Sequence, residues 1–447
     1  MMNGKCAPLV GRTFHRQLNG LKYGTAVAVC QLVHDELRLH EELGWLYGED
    51  MEGERQMTTL RDKHSKQEGK TDNAADAAAQ AARSSAGEGA LHSEASVQIA
   101  EATAKRKGEH IRICLEEQVQ GSGITTGLER LRFRHCALPE LALNEISLES
   151  EWLGRRLQAP LLVSSMTGGT AEAGEINRRL AVAAQAHGWA IGLGSMRAAI
   201  ENAEVAPTFQ IRSYAPDVPI IANLGAVQFN YGYGVEQCRR AVELADADAL
   251  VLHLNSMQEI FQMEGDTDFG GLLRKIEQVC AALDVPVGIK EVGWGVDGET
   301  ARALQGAGVA FIDAAGAGGT SWSQVEKFRS ADPMKRLAAE AFADWGNSTA
   351  DCIAEIREAA PEALLIASGG LASGVDAAKA LALGANLAGF GRMLLPAAAL
   401  QGASPDRWEE ALHRQFAQIA FELRAVMFGI GAGDIEALRH TSRLIRQ

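Results

Sequence analysis

The chain has 447 residues, 47% of them hydrophobic and 22% charged, with a formal net charge of −14. That size and apolar content suffice for one large domain with an added piece, or for two or three domains, and the acidic balance argues against nonspecific nucleic-acid binding. The 7 Cys are odd in number and form no CxxC, which speaks against a disulfide framework or a zinc site and for a reducing cytoplasm.

Residues 1–104 differ from the rest. The opening MMNGKCAPLVGRTFHRQL has no apolar segment followed by a cleavage site, so no secretory signal is read there. Leu32 to Tyr47 shows weak helical periodicity, and Arg61 to Lys70 is charged. Asn73 to Ser96 is rich in Ala, Ser and Glu with few large apolar residues, too few to bury the surface that folding requires. The expectation is a disordered N-terminal extension over 1–104, with Met57 an alternative start, followed by one domain over 105–447. No run of 18 apolar residues occurs, so no transmembrane helix is expected.

KRKGEHI, Lys105 to Ile111, is strongly basic within an acidic chain. From Pro160 short apolar runs alternate with amphipathic segments. The runs are PLLVSSM (160–166), WAIGLG (189–194), VPIIANLG (218–225), ADALVLHLN (247–255), VPVGIKEVG (285–293), GVAFIDAAG (308–316), ALLIASGG (363–370) and ANLAGFG (385–391). Helical patterns lie between them, such as 175–188, 236–247, 272–284, 300–308, 349–360 and 374–385. Continuous apolar runs are the mark of parallel strands covered on both faces, and eight strand–helix repeats predict a (β/α)8 TIM barrel. A doubly wound sheet is disfavoured because no GxGxxG follows the first strand.

In such a barrel the C-terminal strand ends carry the chemistry. The fourth run ends in His253 and Asn255, two residues apart and so on one face of a strand, followed by Gln258 and Glu259. Lys290, inside an otherwise apolar strand, must point into a polar site or pair with a carboxylate. Gly369-Gly370 and Gly391-Arg392 follow strands seven and eight, where glycine turns commonly hold phosphate. Together these fit a phosphate-bearing cofactor such as FMN across the mouth. Arg106, Lys107, His110 and Arg197 are cations suited to a diphosphate, and Glu259 to a Mg²⁺ shared with it.

RKGEHI, TTGLERLRFRHCALPEL, SSMTGGTAEAGEIN, GSMR, ANLGAVQ, HLNSMQEIFQMEGDTDF, KEVGWG, AGAGGTSW, FADWGNSTA and ASGGLASGVDAAKALALGA occur in this order from Arg106 to Arg392. In this the chain resembles the type 2 isopentenyl-diphosphate isomerases over its last three quarters. The resemblance implies an FMN-dependent enzyme of isoprenoid biosynthesis that interconverts isopentenyl and dimethylallyl diphosphate with Mg²⁺, reduced flavin and NADPH as reductant. It implies FMN contacts from Ser165, Met166, Thr167, Ser195, Asn223, Lys290, Thr320, Gly369, Gly370, Gly391 and Arg392. Substrate would be met by Arg106, Lys107, His110, Ser195, Met196, Arg197 and Gln258, metal by Glu259, with Gln258, His253 and Asn255 as the catalytic group. A cytoplasmic homo-oligomer, tetramer or octamer, with no nucleic-acid or membrane partner is the further expectation. Met196 stands where many members have Gln, Arg392 where a small residue is common, and the first hundred residues match nothing in the family. The rival readings are an FMN-dependent 2-hydroxy acid oxidoreductase, whose proton-abstracting His is missing after strand seven, and a non-catalytic flavin-binding scaffold.

Overall fold

The eight apolar runs fold as short strands: β1 (Leu161–Val163), β2 (Ala190–Gly192), β3 (Ile220–Gly225), β4 (Ala249–His253), β5 (Val287–Lys290), β6 (Phe311–Asp313), β7 (Leu364–Ala367) and β8 (Leu387–Phe390). Each pairs in parallel with the next, and β8 returns to β1 through Ala388↔Leu161, Gly389↔Leu162 and Phe390↔Val163, closing the barrel. The expected (β/α)8 architecture is thus the one formed. This computed structural model describes residues 105–400 and 405–447; the expectation of a disordered 1–104 lies outside the described residues.

Strands are shorter than the runs that foretold them. The first strand ends at Val163, and Ser164, Ser165, Met166 and Thr167 follow it at the barrel mouth. Inside, Leu162, Ile221, Val251, Phe311, Ile366 and Leu387 share one buried cluster with Trp152 and Leu157. Those last two come from a hairpin, Ser150–Trp152 with Arg155–Leu157, that seals the N-terminal end of the barrel. Its two-residue turn, Leu153 at φ 50° and Gly154 at φ 75°, has the left-handed backbone that matches strand twist. The Trp152 ring meets Phe311 edge-on at 5.1 Å. Gly288 leaves the room this requires, since a Cβ there would approach the Phe311 ring to 2.1 Å.

Helices alternate with the strands as the amphipathic segments foretold. Ala171–His187 is representative: the Thr170 hydroxyl accepts from the Ala173 N–H at its start, and Gly188 at φ 61° ends it. Among the helices not foreseen are Trp322–Arg329 and Pro333–Ala341, inserted between β6 and its return helix Thr349–Ala359. The first is what docks the basic segment. Residues 105–116 are helical, and Ile113, Val119 and Val325 bury one another while Val119 O accepts from Ser321 N at 2.7 Å. Among the described residues no helix is long and apolar enough to cross a membrane.

Candidate active site

A cavity of about 540 Å³ opens at the C-terminal ends of the strands. Helix 105–116 brings Arg106, Lys107 and His110 to it. The turns after β1 and β2 bring Ser165, Met166, Thr167, Ser195 and Arg197, β3 brings Asn223, and β4 with its turn brings His253, Asn255, Gln258 and Glu259. Lys290, Thr320, Gly369, Gly370, Gly391 and Arg392 complete the wall. Met196 is the exception. It is fully buried, its N–H bonds Asn223 O at 2.8 Å, and its apolar side chain packs into the main core instead of the cavity. Its side chain, expected to meet the substrate, therefore does not line this cavity.

The polar residues behind β4 hold one another in place. His253 Nδ1 lies 2.8 Å from Asn223 Oδ1. Burial, then Lys107 and Lys290, lower its pKa to about 3, so the ring is neutral at physiological pH. With Nδ1–H donated to Asn223, Nε2 is left with a lone pair. Glu259 is buried, which raises its pKa, yet both its oxygens are bonded: Oε1 accepts from Asn255 Nδ2 at 2.6 Å and Oε2 from Asp266 N at 2.8 Å. Gln258 Nε2 donates to Glu326 Oε1 at 3.1 Å, which leaves the amide oxygen as its acceptor for the cavity.

Glu326, on the unforeseen helix Trp322–Arg329, was not read from the sequence. Burial works against its charge, but His110, Arg329 and Gln258 hold its pKa at about 2. His110 Nε2 is 3.0 Å from Glu326 Oε1; burial lowers the His110 pKa, so it serves as a neutral donor to the carboxylate. An acidic residue in an amphipathic helix carries no sequence signal for such a role. Asp313, at the end of β6, was also missed: it lies 3.7 Å from Lys290 Nζ and accepts from Ser368 Oγ at 2.6 Å. Lys290 thus does both things its position demanded, lining the cavity and facing a carboxylate, and it donates to Glu291 O at 2.7 Å.

The walls suit a bound anion. The side chains of Lys107 and Arg392 have no hydrogen bond or ion pair among the described residues, although both line the cavity. Buried Ser164 Oγ, Thr167 Oγ1 and Asn255 Oδ1 also have no partner there. Gly369 at φ 102° and Gly370 at φ 75° turn so tightly against the loop after β6 that a Cβ on Gly369 would come within 2.1 Å of Gly316 O. Free hydroxyls, a glycine turn and an unpaired guanidinium fit a phosphate-bearing cofactor such as FMN. For Mg²⁺, Glu259 and the Asn255 oxygen are suitable hard donors. Among the described residues no group of three or more His, Cys, Asp or Glu could hold a metal, so an ion here would complete its shell from ligand phosphate and water.

A family model for FMN-dependent dehydrogenases matches residues 237–446. An isopentenyl-diphosphate delta-isomerase from Oceanobacillus iheyensis is 53% identical over 340 residues, 76% of this chain and 95% of that protein. One from a Nostoc species is 51% identical over 344 residues, 77% and 96% of the two chains. Two solved structures of mandelate oxidase variants with FMN adducts superpose with TM-scores of 0.51 and 0.52 at 20% and 22% identity. They cover 74% and 78% of this chain and 94% and 98% of their own. At that identity the superposition speaks for the barrel alone.

Proposed function

The chain belongs to the isopentenyl-diphosphate delta-isomerases in their FMN-dependent, type 2 form, and on that premise we propose that its cavity interconverts isopentenyl and dimethylallyl diphosphate by acid–base chemistry with reduced FMN and Mg²⁺. The observation that carries this is one cavity holding unpaired cations, a glycine turn and a buried carboxylate together. A diphosphate needs the cations and a metal, and a flavin phosphate needs the turn.

Arg106, Lys107 and Arg197 bind the diphosphate as point charges and forks. Glu259 and Asn255 would hold a Mg²⁺ ion at the diphosphate end. His253, neutral, offers its Nε2 lone pair to a protonated group at that end, and Lys290 faces the cavity from β5 beside Asp313. Gln258, its amide fixed by Glu326, turns an oxygen to the alkene end and orients it. Trp322, edge-on to His110 at 5.1 Å, helps exclude water. The chemistry a reduced flavin supplies here is acid–base: a proton delivered to one alkene carbon and another removed two carbons away, beside an electron-rich ring that stabilises developing positive charge. The reaction is redox-neutral, so the flavin needs reducing only in advance, with NADPH as the reductant. The same reading makes the protein a cytoplasmic homo-oligomer, tetramer or octamer, without nucleic-acid or membrane partners.

The experiment is direct. Protein reconstituted with FMN should be yellow, bleach with NADPH, and then convert isopentenyl diphosphate to its isomer in a Mg²⁺-dependent way. Oxidation of a 2-hydroxy acid by this flavoprotein, with no isomerisation, would sink the proposal.

A further inference from the structure

Asp266 is no part of the cavity wall, yet it is bonded to three residues that are. Its Oδ2 accepts from Arg197 Nη1 at 2.8 Å and from Gln228 Nε2 at 2.9 Å. Its backbone N–H donates to Glu259 Oε2 at 2.8 Å. Those partners come from the turns after β2, β3 and β4, so one residue ties three adjacent strand ends together. The residue before it has no room for a side chain: a Cβ on Gly265 would fall 1.8 Å from Glu259 O.

The consequence for Arg197 is geometric. Its Nε is taken by Glu201 at 2.8 Å and its Nη1 by Asp266, which leaves Nη2 unpaired among the described residues. A long side chain that would otherwise lose rotamer freedom on binding is already held in the cavity lining, with Nη2 still available to a ligand. The consequence for Glu259 is similar. With Oε1 on Asn255 and Oε2 on the Asp266 amide, its carboxylate plane is set before any metal arrives.

We propose that Asp266 is a positioning residue for the diphosphate-and-metal end of the site, its carboxylate fixing Arg197 for the anion and its amide fixing Glu259 for the cation. This rests on the reaction proposed above. It is tested on the full-length, FMN-loaded protein by calorimetric titration with inorganic diphosphate and Mg²⁺, alongside steady-state isomerisation. Asp266→Asn should weaken diphosphate binding about tenfold and raise KM alike, with kcat and FMN affinity unchanged. In an Arg197→Gln background the same substitution should add less than about twofold, because it acts through that guanidinium. Gly265→Ala, which forces the amide off Glu259, should raise the Mg²⁺ half-saturation about tenfold while leaving FMN affinity alone. Tighter diphosphate binding in Asp266→Asn would mean that Asp266 competes with the ligand, and overturns the inference. So would additive losses in the double variant, or a parallel loss of FMN. A wild-type protein that binds diphosphate without isomerising it would retire the proposed reaction and leave the binding test standing. One that binds no diphosphate with Mg²⁺ would retire both.

Discussion

Glu326 shows how much can hang on one carboxylate. It accepts from His110 and Gln258 and pairs with Arg329 while almost fully buried. Replacing it with Gln puts an amide opposite the Gln258 amide, and nothing then dictates which end of Gln258 faces the alkene. Glu326→Gln should therefore lower kcat about 10- to 100-fold, the loss of a charge-assisted bond, with a smaller change in KM; an unchanged kcat would show that Gln258 is oriented by something else. Lys107 yields a pH prediction. Burial, then Arg106, lower it from 10.5 to about 8, so the free enzyme loses this cation as pH rises through that value. A profile of kcat/KM should fall there, and Lys107→Arg should move the falling limb upward. The sign for stability is opposite. Between the folded and unfolded pKa values the unfolded chain binds the proton more tightly, so this group's contribution to stability increases with pH across that window.

Strands and helices divide into those the sequence announces and those it hides. Parallel strands buried on both faces need unbroken apolar runs, so all eight were legible, and the strand-end rule then located every cavity residue named from them but Met196. The sealing hairpin was not legible: its strands are three residues each, and its turn puts Leu153, not Asn or Asp, in a left-handed conformation. Glu326 and Asp266 were hidden for another reason. Apart from Arg329 for the first and Glu259 for the second, their partners lie 38 to 216 residues away and meet them from behind the wall, so no local pattern records those contacts. At this scale the packing of β5 against β6 makes a stability prediction. Gly288→Ala should cost about 1–3 kcal/mol by overpacking against Phe311, read as a lowered Tm, and Phe311→Leu should recover part of it.

For the whole molecule, the relative from Oceanobacillus iheyensis is matched over 95% of its length by 76% of this chain. With the composition of Asn73 to Ser96, that leads us to expect residues 1–100 to be dispensable. A chain lacking them should keep the activity and Tm of the full one, and a loss of either would assign them a role. The sealed N-terminal end has a kinetic consequence. With Trp152 and Leu157 filling that end, the described residues leave the cavity open at the other, so on the proposed reading reductant and diphosphate would queue for the same mouth. Once the flavin has been reduced chemically, further NADPH can only stand in the way. It should then act as a competitive inhibitor of isomerisation, raising the apparent KM and leaving kcat untouched, and a fall in kcat instead would reveal a second way in.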